Sequence, residues 1–335
     1  MIDVESDFDE LYRASELVRP LYTDAAVTML DIDEAANRVV IGVASPGDVA
    51  PMEMRLAALG SPGNLVRVVV SPAVQVASTV QSLIRPVLAG TQIGIPGGVC
   101  TMGPSVLPRV AGVIDASVKF FLTNSHCTPQ FGSIDGIAIG QPLVGNPVGV
   151  DVYDPPLFTN VQNHNCDVGR LCRWSDATLV ALNPGINHTF GQIARTVSPT
   201  NLTRKSNYII LGESPYYVPG LSILYKTGRT TGTSYGHSFQ TCVKVKQFES
   251  GLDTGRDMLC QDQVSLLSQG GDSGSPVFSS LNTETTNVTL HGMLWGTGWT
   301  EYPNGGLVKA TFSRINYIYA ELNPYFPNGF LTALP

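Results

Sequence analysis

Three residues of this chain could act together on a carbonyl carbon: a serine set among glycines, a histidine closing one apolar run and an aspartate opening another. In Gly270-Gly271-Asp272-Ser273-Gly274-Ser275-Pro276, glycines flank Ser273 on both sides. They let backbone amides approach a reacting oxygen with no Cβ in the way. A serine hydroxyl is a weak nucleophile until a base takes its proton, and the oxyanion it generates needs preorganised donors. The N–H groups of Gly271 and Ser273 are the expected donors.

Upstream, Phe120-Phe121-Leu122-Thr123-Asn124-Ser125-His126-Cys127 reads as a buried strand ending in a histidine. His126 fits a general base, because imidazole titrates nearest neutrality and can take a proton and return it. A third group should hold the ring in one tautomer and stabilise its cation. Asp176, directly before the apolar run Ala177-Thr178-Leu179-Val180-Ala181-Leu182, suits that role. Asp151, Asp154 and Asp167 compete for it, but each reads as a turn residue with no apolar run following. Pro276-Val277-Phe278 resumes as a strand after the serine, so the strand-turn-helix elbow of the α/β-hydrolases is excluded.

The order His126, Asp176, Ser273 resembles the chymotrypsin/trypsin-like serine peptidases, most of all their bacterial members of the streptogrisin and α-lytic-protease type. Lys226-Thr227-Gly228-Arg229-Thr230-Thr231-Gly232-Thr233-Ser234-Tyr235-Gly236 is similar to the Gly/Thr-rich hairpin those members carry between aspartate and serine. Gly292-Met293-Leu294-Trp295-Gly296 resembles the strand that borders their specificity pocket and pairs with substrate backbone. The likeness runs from about Pro96 to the C-terminus, about 240 positions. Two positions depart from the family pattern. Ser275 stands where many animal members have glycine, and Leu294 where a serine is usual.

The resemblance implies a mainly β fold of two six-stranded Greek-key β-barrels and a serine endopeptidase that cleaves polypeptides through an acyl-enzyme, without metal or organic cofactor. The alternative is a catalytically inactive trypsin-like fold that binds or scaffolds, against which the intact His126, Asp176 and Ser273 argue. It also implies a substrate pocket with Leu267 at its base, Gly296 and the Gly305-Gly306 region in its walls, and Trp295 on the strand that borders it. An uncharged base gives a buried Arg or Lys no partner, so an apolar or mid-sized residue before the cleaved bond is expected. Animal members bury a new amino terminus against the aspartate before the nucleophile, here Asp272. Ile95-Pro96-Gly97-Gly98 matches such a terminus poorly, and bacterial members satisfy the aspartate differently.

Six cysteines lie at 100, 127, 166, 172, 242 and 260, which allows fifteen complete pairings. The resemblance selects Cys100 with Cys127, and proximity then suggests Cys166 with Cys172 and Cys242 with Cys260. Disulfides imply an oxidising compartment. No Cys-x-x-Cys pair or His/Cys cluster has zinc spacing. Met1-Ile2-Asp3 opens without a basic stretch, so no signal peptide is visible, and secretion is inferred from the cysteines and the resemblance.

In 335 residues, charged side chains make up only 14% while Gly and Pro number 34 and 23, which favours short strands and tight turns. Strands are expected at 66–70, 119–123, 179–182, 208–211, 242–248, 277–278 and 288–295, the pattern of paired barrels. A net charge of −7 disfavours nucleic acid as a partner, and no apolar stretch is long enough to span a membrane. A monomer is expected.

Residues 1–34 hold ten acidic and two basic side chains and read as a solvated surface. Beyond them come a strand, a turn at Asp33–Asn37, a strand at Arg38–Ala44, a helix at Val49–Leu59 closed by Gly60, and a strand at 65–70. Residues 1–90 are thus expected to form a small α/β domain, 91–98 a Gly/Pro-rich linker and 99–335 the peptidase. Such a domain ahead of a bacterial-type peptidase resembles a pro-region that assists folding, slow non-local β pairing being helped by a template. A permanently attached accessory domain is the other reading.

Overall fold

Phe120–Thr123 is buried on both faces, which is why its apolar run shows no alternation. In the computed structural model, which describes residues 5–74, 77–280, 285–302 and 305–333, Phe120 and Leu122 enter one apolar cluster and Phe121 another. The first cluster also takes Leu179, Ile193, Ile210, Phe278, Leu290 and the C-terminal helix Ile315–Leu322, so it joins two sheets. The chain is mainly β and divides into two compact units, Met1–Val76 and Ala77–Pro335.

In the second unit, a nine-stranded sheet runs from Phe330–Leu331 through Ser105–Val110, Phe120–Thr123, Thr178–Leu182 and Pro147–Tyr153 to the Gln92–Ile95/Gly98–Thr101 hairpin. A ten-stranded sheet contains Leu252–Val264, Gly232–Glu249, Ile223–Gly228, Pro276–Ser280 and Asn287–Tyr302 in that order. Gly305–Arg314 pairs with both Leu252–Val264 and Asn287–Tyr302, so these six strands close on themselves. Each strand expected in this unit overlaps an observed one, 119–123 starting one residue early against Phe120–Thr123, and the largest underestimate is at 242–248, which belongs to the eighteen-residue strand Gly232–Glu249.

The expected linker is instead a packed hairpin. Gln92–Ile95 pairs antiparallel with Gly98–Thr101, Ile93 is fully buried, and the division between units falls near residue 76 rather than 90. Glycine density there marks a tight turn at Gly97 (φ +86°), not an extended tether. The cysteines pair 100–127, 166–172 and 242–260. Each bridge contributes about 2 to 4 kcal/mol on the loop-entropy model.

The first unit is a three-stranded sheet, Val27–Asp33 antiparallel to Arg38–Val43 and the latter parallel to Val66–Val70, with helix Val49–Ala58 as the parallel crossover. Its core takes Val39, Ile41 and Val43 from the central strand and Met52 and Leu56 from that helix. The acidic N-terminal run is not merely surface. It contains the helix Phe8–Val18, which buries Leu11, Ala14 and Val18 and begins with a reciprocal cap between Asp7 and Glu10. Asp7→Ala should destabilise this unit by about 1 kcal/mol. Hydrogen exchange would report it as faster exchange of amides 8–18 with those of 178–182 unchanged.

Candidate active site

Antiparallel pairing explains why residues fifty apart in sequence meet. Thr123, the last residue of Phe120–Thr123, lies opposite Thr178, the first of Thr178–Leu182. The helical turn Ser125–Cys127 that follows one strand therefore sits over the segment that leads into the other. His126 Nδ1 lies 2.6 Å from Asp176 Oδ2, and the His126 backbone N–H donates to Asp176 Oδ1 at 3.1 Å. The Cys100–Cys127 bridge ties this turn to Gly98–Thr101.

His126 Nε2 is 2.8 Å from Ser273 Oγ. With Nδ1–H directed at the carboxylate, Nε2 keeps its lone pair for the serine hydroxyl. Burial alone would lower the basicity of His126, but the adjacent, hydrogen-bonded Asp176 carboxylate outweighs it and holds the imidazole above its ordinary value. Asp176 itself is fully buried, its N–H donating to Ser313 Oγ at 3.0 Å and its carbonyl accepting from Asn124 Nδ2 at 2.5 Å. Ser313 Oγ donates in turn to Gln261 Oε1, which also accepts from the Trp295 indole, each at 2.8 Å. Leu294 is buried, and its N–H and carbonyl pair with Ser275 O and Gly274 N.

The serine loop is held from beneath by a buried ion pair. Asp272 Oδ1 accepts from the N–H groups of Thr230 and Thr231 at 2.9 and 3.1 Å. Its Oδ2 accepts from Gln269 N–H and from Lys226 Nζ, both at 3.0 Å, and from Thr231 Oγ at 2.6 Å. Lys226 and Asp272 are both fully buried. Burial lowers the pKa of Lys226, which Asp272 opposes. The Gly/Thr hairpin thus supplies the partner for the aspartate preceding Ser273, a role its sequence did not reveal.

Two glycines let the loop turn. Gly271 and Gly274 have φ +91° and +93°, and a Cβ on Gly274 would lie 2.1 Å from the Thr101 carbonyl. The N–H groups of Asp272, Gly274 and Ser275 bond Gln269, Leu294 and Asp272 carbonyls, whereas among the described residues those of Gly271 and Ser273 have no acceptor. Two free donors are thus left flanking the serine.

The competing aspartates are not turn residues with nothing behind them. Asp151 is buried within Pro147–Tyr153. Asp154 is buried against Arg173 Nη1 at 2.5 Å and Ser125 Oγ at 2.6 Å, and burial raises its pKa to about 6. Asp154 thus braces the turn that carries His126 without touching the ring, whereas Asp151 accepts from Thr178 Oγ1 at 2.6 Å and from the Asp135 N–H at 3.0 Å. Asp167 is on the surface, paired with Lys244.

A cavity of about 410 Å³ opens beside His126, walled by Trp295, Gly296 and Thr297 on one side and by 245–249 of the long Gly232–Glu249 strand on the other. Leu267, the expected pocket base, does not line this cavity. Its carbonyl is held by Thr231 and Ser234 hydroxyls, and its side chain is partly exposed. Lys246, Lys309 and Thr311 also line the cavity, and no local signal in the sequence marks any of the three.

No family model matches the chain, and no curated protein matches it. Among solved structures it is similar to Thermobifida fusca protease A, at 18% identity over 74% of this chain and 99% of that one with a TM-score of 0.47. It is also similar to Nocardiopsis protease, with the same identity, coverage and TM-score. A third, Cellulomonas bogoriensis chymotrypsin, is 18% identical over 71% of this chain and 95% of that one, with a TM-score of 0.45.

Removing one partner of a buried pair leaves an uncompensated charge, at a cost of about 3 to 5 kcal/mol. Lys226→Met should therefore lower unfolding stability by that amount in urea titration. Adding Asp272→Asn should recover part of the loss.

Proposed function

We propose that this protein is a serine endopeptidase on a trypsin-like fold, in which the two large sheets act as the two barrels and Ser273 attacks the peptide carbonyl. The observation that carries the reading is the continuous chain Asp176 Oδ2–His126 Nδ1 at 2.6 Å and His126 Nε2–Ser273 Oγ at 2.8 Å, beside two unpaired amide donors.

In the proposed cycle, His126 takes the Ser273 proton as Oγ bonds to the carbonyl carbon, and the carbonyl oxygen becomes an oxyanion facing the Gly271 and Ser273 N–H groups. His126 then protonates the leaving amine, whose bond to carbon breaks and leaves an ester on Ser273. Water, deprotonated by the same histidine, hydrolyses that ester and restores the serine. Asp176 fixes the imidazole tautomer and stabilises its cation. The three disulfides fit an oxidising, extracellular setting for such an enzyme. No helix among the described residues is long and apolar enough to cross a membrane. The unit Met1–Val76 is proposed as its pro-region-like domain.

Ser273→Ala should abolish the burst of product that marks acyl-enzyme formation on an ester substrate, with circular dichroism unchanged. An undiminished burst would remove Ser273 from the mechanism. Asp176→Asn should lower kcat by about 10⁴-fold.

The general base must be neutral to work. Because the His126 pKa is raised, activity should climb with pH through an inflection above the ordinary histidine value, and Asp176→Asn should move that inflection down. The same shift acts on stability with the opposite sign. The contribution of protonated His126 is fully present below its unfolded pKa and is lost as pH rises through the raised folded value. A kcat–pH profile alongside a denaturation–pH profile would separate the two.

A further inference from the structure

The cavity beside His126 carries an electrostatic feature that the hydrolytic chemistry does not need. Three charged side chains line it: Lys246, Glu249 and Lys309. Glu249 Oε1 is held by Arg256 Nη1 at 3.0 Å, and Lys246 Nζ stands 4.0 Å from Asp253 Oδ2. Among the described residues, Lys309 has no hydrogen-bond or ion-pair partner, although it is half-buried.

Lys309 pairs across the sheet with Gly298, which adds no side chain between the ammonium and the cleft. The nearby hydroxyls of Thr297 and Thr311 are engaged only by long contacts of 3.4 Å, to Ser268 O and from Gln263 Nε2. A half-sheltered cation with spare donors around it lacks its counter-ion. A carboxylate is the group that supplies charge and acceptor lone pairs together.

The position along the sheet says where in a substrate that carboxylate would fall. Leu294 bonds Gly274 and Ser275 next to the nucleophile, and Gly298 lies four residues further along the same strand. At about 3.3 Å per residue, an extended peptide passing along this edge meets Lys309 within about four residues of the bond at Ser273.

We propose that Lys309 selects an aspartate or glutamate side chain within four residues of the cleaved bond, making the enzyme a peptidase of acidic segments. The proposal rests on the reading of Ser273 as the nucleophile. It also assigns the principal side-chain recognition to this cavity, in place of the apolar preference expected from Leu267.

The test is a set of quenched fluorescent peptides in which each of the four positions on either side of the cleaved bond carries Glu or its neutral isostere Gln. Activity is read as the Glu/Gln ratio of kcat/KM, and a fluorophosphonate probe reports Ser273 separately. At one position at least, the ratio should be about tenfold or more at low salt and should shrink as salt screens the pair. Lys309→Met should bring that ratio to about one, Lys309→Arg should keep it, and Lys309→Glu should turn it below one. Because each ratio is internal to one variant, a change in folded fraction cancels.

If Ser273 is labelled and peptides are cleaved with ratios near one throughout, the Lys309 assignment is wrong and the peptidase reading stands. The assignment also fails if the preference survives Lys309→Met. If Ser273 is neither labelled nor needed for cleavage, the peptidase reading fails and takes the assignment with it.

Discussion

A carboxylate with no access to water, Asp272, is the constraint on which the proposed site depends. It accepts from three backbone N–H groups, one hydroxyl and the Lys226 ammonium, and so fixes the backbone on both sides of itself. Gly271 and Ser273 flank it, and their conformations follow from where that carboxylate must point. The loop is therefore a consequence of an internal ion pair formed with the Ile223–Gly228 strand, 46 residues away in sequence.

The second requirement is met by strand register. Thr123 opposite Thr178 sets the depth at which His126 and Asp176 emerge, and the burial of all of Phe120–Thr123 and of Thr178, Leu179 and Val180 leaves that register little freedom. Behind the histidine turn, Arg173 is buried between Asp154 and Glu321, and Ser125 donates to Asp154. His126 is thus one hydrogen bond from a buried carboxylate, Asp176, and the turn that carries it is one hydrogen bond from another, Asp154.

How much of this was legible in the sequence follows from the range of each interaction. The serine loop, the histidine strand and Asp176 were readable because glycine clustering and apolar runs are local signals, and the strands around them were found where expected. Lys226 reads as part of a hairpin, yet nothing local says that its ammonium turns inward. The helix Phe8–Val18 is hidden in the sequence because its acidic residues read as a charge run, although Asp7 and Glu10 at capping spacing and Leu11, Ala14 and Val18 on one face signal it. The hairpin at 92–101 reads as a linker in the sequence because glycines serve close packing as well as extension. Asp154 looked like a turn residue since its partner Arg173 lies 19 positions on and is found only in three dimensions.

The central claim is that the Gly271 and Ser273 amides, the Ser273 hydroxyl and His126 converge on one reacting centre. The most direct measurement is a crystal structure of the chain after reaction with a small fluorophosphonate. The account predicts a covalent phosphorus on Ser273 Oγ, with a phosphonyl oxygen within about 3 Å of both N–H groups and His126 Nε2 still facing the substituted oxygen. A serine left unmodified, or an adduct whose oxygen points away from Gly271 and Ser273, would contradict it.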